Sequence, residues 1–156
     1  MVTYNQGTYQ YTSNFTMCYK INPDGSMMWM KNLNKSVIAY IKGYTSQLVF
    51  IQNGSVRVIF NDTKRNYDES GNYISAENAK KNGLLYDKQT NLAIITIDLE
   101  TGTDKRRMLQ SAENNGALVN FNKKLLDNDL IILEGFKRNK FEMKLGVINN
   151  TYLDKL

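Results

Sequence analysis

Two kinds of β-hairpin recur in this chain in the same order. In the first copy, Asn22-Pro23-Asp24-Gly25 separates Ile21 from a strand through Trp29, and Asn53-Gly54 later separates 49–51 from 56–61. In the second, Asp98-Leu99-Glu100-Thr101-Gly102 separates Ile97 from a strand through Met108, and Asp127-Asn128 separates Leu125-Leu126 from 130–134. Gly25 and Gly102 stand 77 positions apart (102 − 25), and Asn53 and Asp127 stand 74 apart (127 − 53). A strand–turn–strand unit repeated in fixed order implies a repeat architecture, in which each hairpin buries an apolar stripe that a neighbour covers.

The turns have a mechanism. Pro23 presets φ and Gly25 accepts a positive φ. Asn53-Gly54 is the strongest short-range hairpin signal, because both residues tolerate the positive φ of a type I′ turn. Between turns the apolar residues alternate. Phe15, Met17, Tyr19 and Ile21 share one strand face, as do Phe141, Met143, Leu145 and Val147 on another strand. Further strands are expected over 26–32, 37–41, 47–52, 55–61, 92–98 and 103–109. Residues 62–91 break the pattern and form an expected insertion, with a short helix over 76–81 capped by Ser75 and ended by Gly83. The fold expected from these signals is all-β and antiparallel, in a single domain over 1–156.

Composition narrows the chemistry. The chain of 156 residues has no histidine, which removes the commonest general base, metal ligand and pH switch. Cys18 is the only cysteine, so it forms no intramolecular disulfide and builds no thiolate metal site. Its place in an apolar strand suggests a buried, inert thiol. The net charge of +5 is spread over Lys80-Lys81, Lys105-Arg106-Arg107, Lys123-Lys124 and Lys137-Arg138. With no basic helix and no aromatic-basic RNA motif, these read as solvated loops and strand edges, and no nucleic-acid partner is expected. No apolar run approaches the roughly 20 residues that span a bilayer as a helix. Met1 is followed by a polar, Tyr-rich stretch, so no signal peptide is expected in this chain.

The segments Lys20-Ile21-Asn22-Pro23-Asp24-Gly25-Ser26-Met27-Met28-Trp29 and Val56-Arg57-Val58-Ile59-Phe60-Asn61-Asp62, with Ile95-Thr96-Ile97-Asp98 before Thr101-Gly102, carry a likeness. They resemble PQQ-like and kelch-like repeats, the β-propeller blades at the C-terminal end of large secreted or surface-attached bacterial proteins. The likeness covers most of 15–148 and departs from a typical blade at the 62–91 insertion. It implies an incomplete β-propeller of about two to three antiparallel, propeller-like blades, each of four strands. Residues 47–61 with 92–109 would then form one blade, 125–147 three strands of the next, and 15–32 the outer hairpin of a preceding one. It further implies a non-catalytic scaffold or binding module, extracellular or periplasmic, completed by remaining blades of a longer chain or by self-association. A protein or carbohydrate partner is compatible with it, and no cofactor is implied.

Candidate sites stand beside plainer readings. Asn66-x-Asp68-x-Ser70-Gly71-x5-Glu77 has the spacing of a calcium loop, but Asn66 replaces the first aspartate and only two carboxylates remain. A polar turn at Gly71 explains it as well. Asp62, Asp68, Asp98 and Glu134 supply the carboxylates that a carbohydrate-active enzyme, the alternative function, would need in pairs. Asp98 and Asp62 read more simply as caps of their own backbone, and Glu134 is unusual only for its apolar strand. Trp29 and Tyr4, Tyr9, Tyr11, Tyr19, Tyr40 and Tyr44 could stack on sugars or on a partner. Core is expected for Trp29 and Tyr19, an edge strand or interaction surface for Tyr4, Tyr9 and Tyr11. Asn14, Asn34, Asn53, Asn61 and Asn149 head Asn-x-Ser/Thr triplets that carry little weight in a chain so rich in asparagine.

Overall fold

A computed structural model of the chain describes residues 1–5, 8–74, 82–83, 90–109, 118–127, 130–137 and 142–149. They form three open sheets, antiparallel except for one short parallel pairing. The first sheet contains β1 (Val2–Asn5), β2 (Thr8–Ile21), β3 (Met27–Ala39) and the two-residue β6 (Asn82–Gly83), in that order. The second contains β4 (Gln47–Gln52), β5 (Ser55–Thr63), β7 (Thr90–Asp98) and β8 (Asp104–Met108). The third contains β9 (Leu118–Asp127), β10 (Leu130–Lys137) and β11 (Glu142–Asn149). One helical turn, α1 (Lys42–Thr45), links the first sheet to the second.

The all-β expectation holds, down to the strand order of the central sheet. β5 pairs with β7 across the insertion, from Ser55↔Asp98 to Thr63↔Thr90. Each sheet boundary therefore falls inside a sequence repeat. The central sheet joins the second hairpin of one copy, β4–β5, to the first hairpin of the next, β7–β8.

The turns form as their residues dictate. Gly25 and Gly102 have φ of 86° and 68°, and Asn53-Gly54 lies at 46° and 71° between the paired Gln52 and Ser55. Asp98 Oδ1 accepts from the Glu100 and Thr101 N–H groups at 3.0 and 2.7 Å, which fixes the longer loop.

The central sheet is apolar on both faces. On one, Leu48, Ile59, Ile94 and Leu109 pack against Val119, Phe121, Ile131 and Leu133 of the third sheet. On the other, Val58, Phe60, Ala93, Ile95 and Ile97 pack against Leu33, Trp29 and Cys18 of the first sheet. This explains the near-continuous apolar run 92–97: alternate residues of β7 serve two different cores. Each fully buried Leu, Ile or Phe here contributes roughly 1.5–3 kcal/mol by leaving water.

Several local expectations are corrected. Residues 37–41 are not a separate strand, because β3 runs unbroken to Ala39 and pairs with β2 up to Tyr11. β5 continues through Asp62 and Thr63, since both find ladder partners in β7. Gly83 lies in β6 beside Ile38, and the helix expected over 76–81 lies outside the described residues. Tyr19 is not core, because its face of β2 points away from the central sheet and leaves it 57% exposed.

Candidate functional site

Two features stand apart from ordinary packing. One is a buried polar cluster between the first and central sheets, and the other is an uncovered apolar face on the first sheet.

The cluster begins with Asp62, which β5 turns toward the first sheet. Its Oδ1 accepts from the Thr63 N–H at 2.8 Å and the Asn66 amide at 2.9 Å. Its Oδ2 accepts from the Tyr67 hydroxyl at 2.6 Å and from the Arg106 guanidinium. Arg106 comes from β8. It also donates to the Tyr67 hydroxyl at 2.9 Å and to the Asn34 carbonyl of β3 at 2.6 Å. Its guanidinium lies over the rings of Tyr73, Phe60 and Tyr67 at 4.0, 5.0 and 5.7 Å. Burial first, then the Asp62 carboxylate, hold the Tyr67 hydroxyl well above its ordinary pKa. Arg106 thus ties three segments together: the start of the insertion, the central sheet and the first sheet. Expected to be a solvated charge, it is instead a buried ion-pair partner.

Lys35 of β3 reaches the same layer. It is 2% exposed, its ammonium donates to Gln47 Oε1 and lies 5.9 Å from the Phe60 ring centre. Gln47 Oε1 also accepts from the Thr16 hydroxyl at 3.1 Å. Burial pushes the Lys35 ammonium pKa down from 10.5 to about 8. A neutral amide as acceptor lets that burial dominate.

A second polar clamp joins the other layers. Asn61 is fully buried, donates to the Tyr44 and Val119 carbonyls at 3.0 and 2.8 Å, and accepts from the Val119 N–H at 2.9 Å. It locks α1 and β9 onto β5. This occupancy leaves no room for a glycan at the Asn61 triplet.

Of the expected carboxylates, Asp62 and Asp98 stand far apart. Asp62 is enclosed by four donors. Asp98 lies at the opposite end of the same sheet: its partner Ser55 is seven residues from Asp62 along β5, roughly 23 Å at about 3.3 Å per residue. Paired glycosidase carboxylates stand about 5–9.5 Å apart. Asp68 is exposed, and its carboxylate accepts from the Asn72 N–H at 2.8 Å. Glu134 of β10 lies near Tyr44, where its charge adds to burial in raising the tyrosine pKa. In the calcium-like loop, Asn66 is buried and turned toward Asp62 while Asp68 is exposed; Glu77 lies outside the described residues. Among the described residues no group of three acidic, Cys or His side chains is placed to hold a metal ion.

The other feature is the outer face of the β2–β3 hairpin. Phe15, Met17, Tyr19 and Ile21 of β2 are 52–57% exposed, and Met27, Met28 and Met30 of β3 stand beside them at 43–61%. Register places Tyr19 opposite Met30 and Ile21 opposite Met27. The inward face of the same hairpin is mixed: Lys20 and Lys31 pair with Glu100 and Asp104 of the central sheet at 3.0 and 2.9 Å. The hairpin is therefore more apolar toward solvent than toward its own neighbour. Alternation in the sequence identified the stripe but could not say which way it pointed. Tyr4 and Tyr9 continue the exposed aromatic surface at the β1 edge, their rings 5.2 Å apart.

No protein-family model matches the chain, and no curated protein or solved structure is significantly similar to it. Among the described residues no helix is long and apolar enough to cross a membrane.

Proposed function

We propose that this chain is a non-catalytic scaffold or binding module of propeller-blade type, acting through the outer face of β2–β3. The observation that carries this reading is the inverted hairpin, with seven apolar side chains exposed and its charged residues turned inward. Monomeric soluble proteins seldom leave a contiguous apolar patch beyond a few hundred Å² without a use for it. The separation of Asp62 from Asp98 and the four donors that enclose Asp62 weigh against the carbohydrate-active alternative. The likeness to secreted bacterial propeller repeats supports an extracellular or periplasmic setting and a protein partner.

The test has two arms. The folded chain, kept dilute below about 1 μM so that self-association does not cover the face, is titrated with an environment-sensitive apolar dye, and with a panel of chromogenic glycosides. Dye binding that falls at least fivefold in the Met17→Asp/Met30→Asp variant, with far-UV circular dichroism unchanged, supports the reading. Glycoside turnover that drops in Glu134→Gln or Asp68→Asn overturns it.

A further inference from the structure

We propose that the outer face of β2–β3 is covered by a second copy of this chain, the two hairpins packing face to face across a two-fold axis. This rests on the binding-module reading above and names the partner.

Three observations favour a second copy. The first is area. Phe15, Met17, Tyr19, Ile21, Met27, Met28 and Met30 are each about half exposed. At roughly 150–250 Å² for a large side chain, they present about 700 Å² of apolar surface. Two such faces brought together bury about 1,400 Å², within the roughly 1,200–2,000 Å² of a stable interface.

The second is charge. In a two-fold interface the same patch faces itself, residue i meeting j and j meeting i, so a patch with charge of one sign would repel its copy. Between Phe15 and Ile21 the outward positions of β2 carry no charge, and Asn32 is the polar residue opposite Met17. Lys20 and Lys31 are held on the other face by Glu100 and Asp104. The net charge of +5 therefore does not oppose contact at this surface. Methionine suits such a contact, because its unbranched, polarisable side chain fills irregular gaps against a rotated copy of itself.

The third is continuity of packing. The chain already stacks sheet on sheet twice, first on central and central on third. A paired hairpin adds one more layer in the same mode, with sheets about 10 Å apart.

The experiment uses the full chain. Sedimentation or multi-angle light scattering across about 1–100 μM should give a concentration-dependent dimer. Met17→Asp/Met30→Asp should weaken association at least 100-fold while far-UV circular dichroism and Trp29 emission stay native. A folded monomer at 100 μM overturns the second copy, as does a dimer indifferent to Met17→Asp/Met30→Asp. The dye titration separates the two readings. A monomer that binds dye through this face, or that binds lipid vesicles or another protein there, refutes the dimer but leaves a binding module. A monomer whose dye binding ignores Met17→Asp/Met30→Asp refutes both.

Discussion

The Trp29 indole N–H donates to the Leu99 carbonyl at 3.0 Å, across 70 positions of sequence (99 − 29). The same ring lies against Gly102, where an added Cβ would stand 2.6 Å from Trp29 Cγ. The two glycines that mark the repeat are thus unequal. A methyl group added at Gly25 would meet only open space, whereas Gly102 is covered by the tryptophan of the other copy's hairpin.

Gly102→Ala is therefore expected to cost about 2–4 kcal/mol, combining left-handed backbone strain with displacement of the indole. Gly25→Ala should cost only the strain, about 1–2 kcal/mol. Urea unfolding of both variants checks the difference, and Trp29 emission should shift only in Gly102→Ala.

Arg106→Leu should destabilise the fold by about 3–5 kcal/mol, since it leaves the Asp62 carboxylate buried without its cation. The double variant Asp62→Leu/Arg106→Leu should recover much of that loss, because it removes both charges at once. A double-mutant cycle by chemical denaturation measures the coupling.

Lys35 gives the stability a pH dependence. Its pKa is about 8 in the fold against 10.5 as the ordinary value. Between those values the unfolded chain holds more protons, so stability rises with pH. Below about pH 8 both states are protonated and the burial penalty is constant and complete. Tyr67 opposes the rise above pH 10, because there the unfolded phenol ionises and the folded one does not, which favours unfolding. Melting temperature should therefore climb from pH 8 toward 10 and then fall. Lys35→Met should flatten the climb and stabilise the fold at pH 7 by roughly 1–3 kcal/mol.

The exposed turn aspartates give a response of the same sign as Lys35, but at acid pH. Asp24, Asp68 and Asp98 have pKa values lowered by hydrogen bonds, first from the Ser26 hydroxyl, the Asn72 N–H and the Thr101 N–H respectively. Their contribution is present above the ordinary value of 3.8 and is lost as pH falls through the lower folded values. Asp98→Ala should remove part of the acid sensitivity, measured as the slope of melting temperature between pH 4 and 2.

Much of the fold was legible because hairpin turns depend on few residues. Pro23, Gly25, Asn53, Gly54 and Gly102 announce their own dihedrals, and alternation then gives strands and their order. Direction was not legible. Period two in Phe15, Met17, Tyr19 and Ile21 defines a face, and only tertiary packing decides that Cys18 and Trp29 turn inward instead. The polar clamps were equally hidden. Arg106 sits in a basic run that looks solvated, and Asn61 in a triplet that looks like a surface acceptor. Asp62 is brought to Arg106 by the strand order of the central sheet across the insertion, and Val119 to Asn61 by the stacking of the third sheet on it, and no local pattern encodes either.

Because each sheet boundary falls inside a repeat, the two copies are mutually dependent. Neither copy alone owns a finished central layer, since β4–β5 and β7–β8 must each find the other before either face of that layer is shielded. Inserting one more whole repeat would extend the stack by a complete layer and leave its outermost surfaces unchanged in kind, whereas inserting half of one would not.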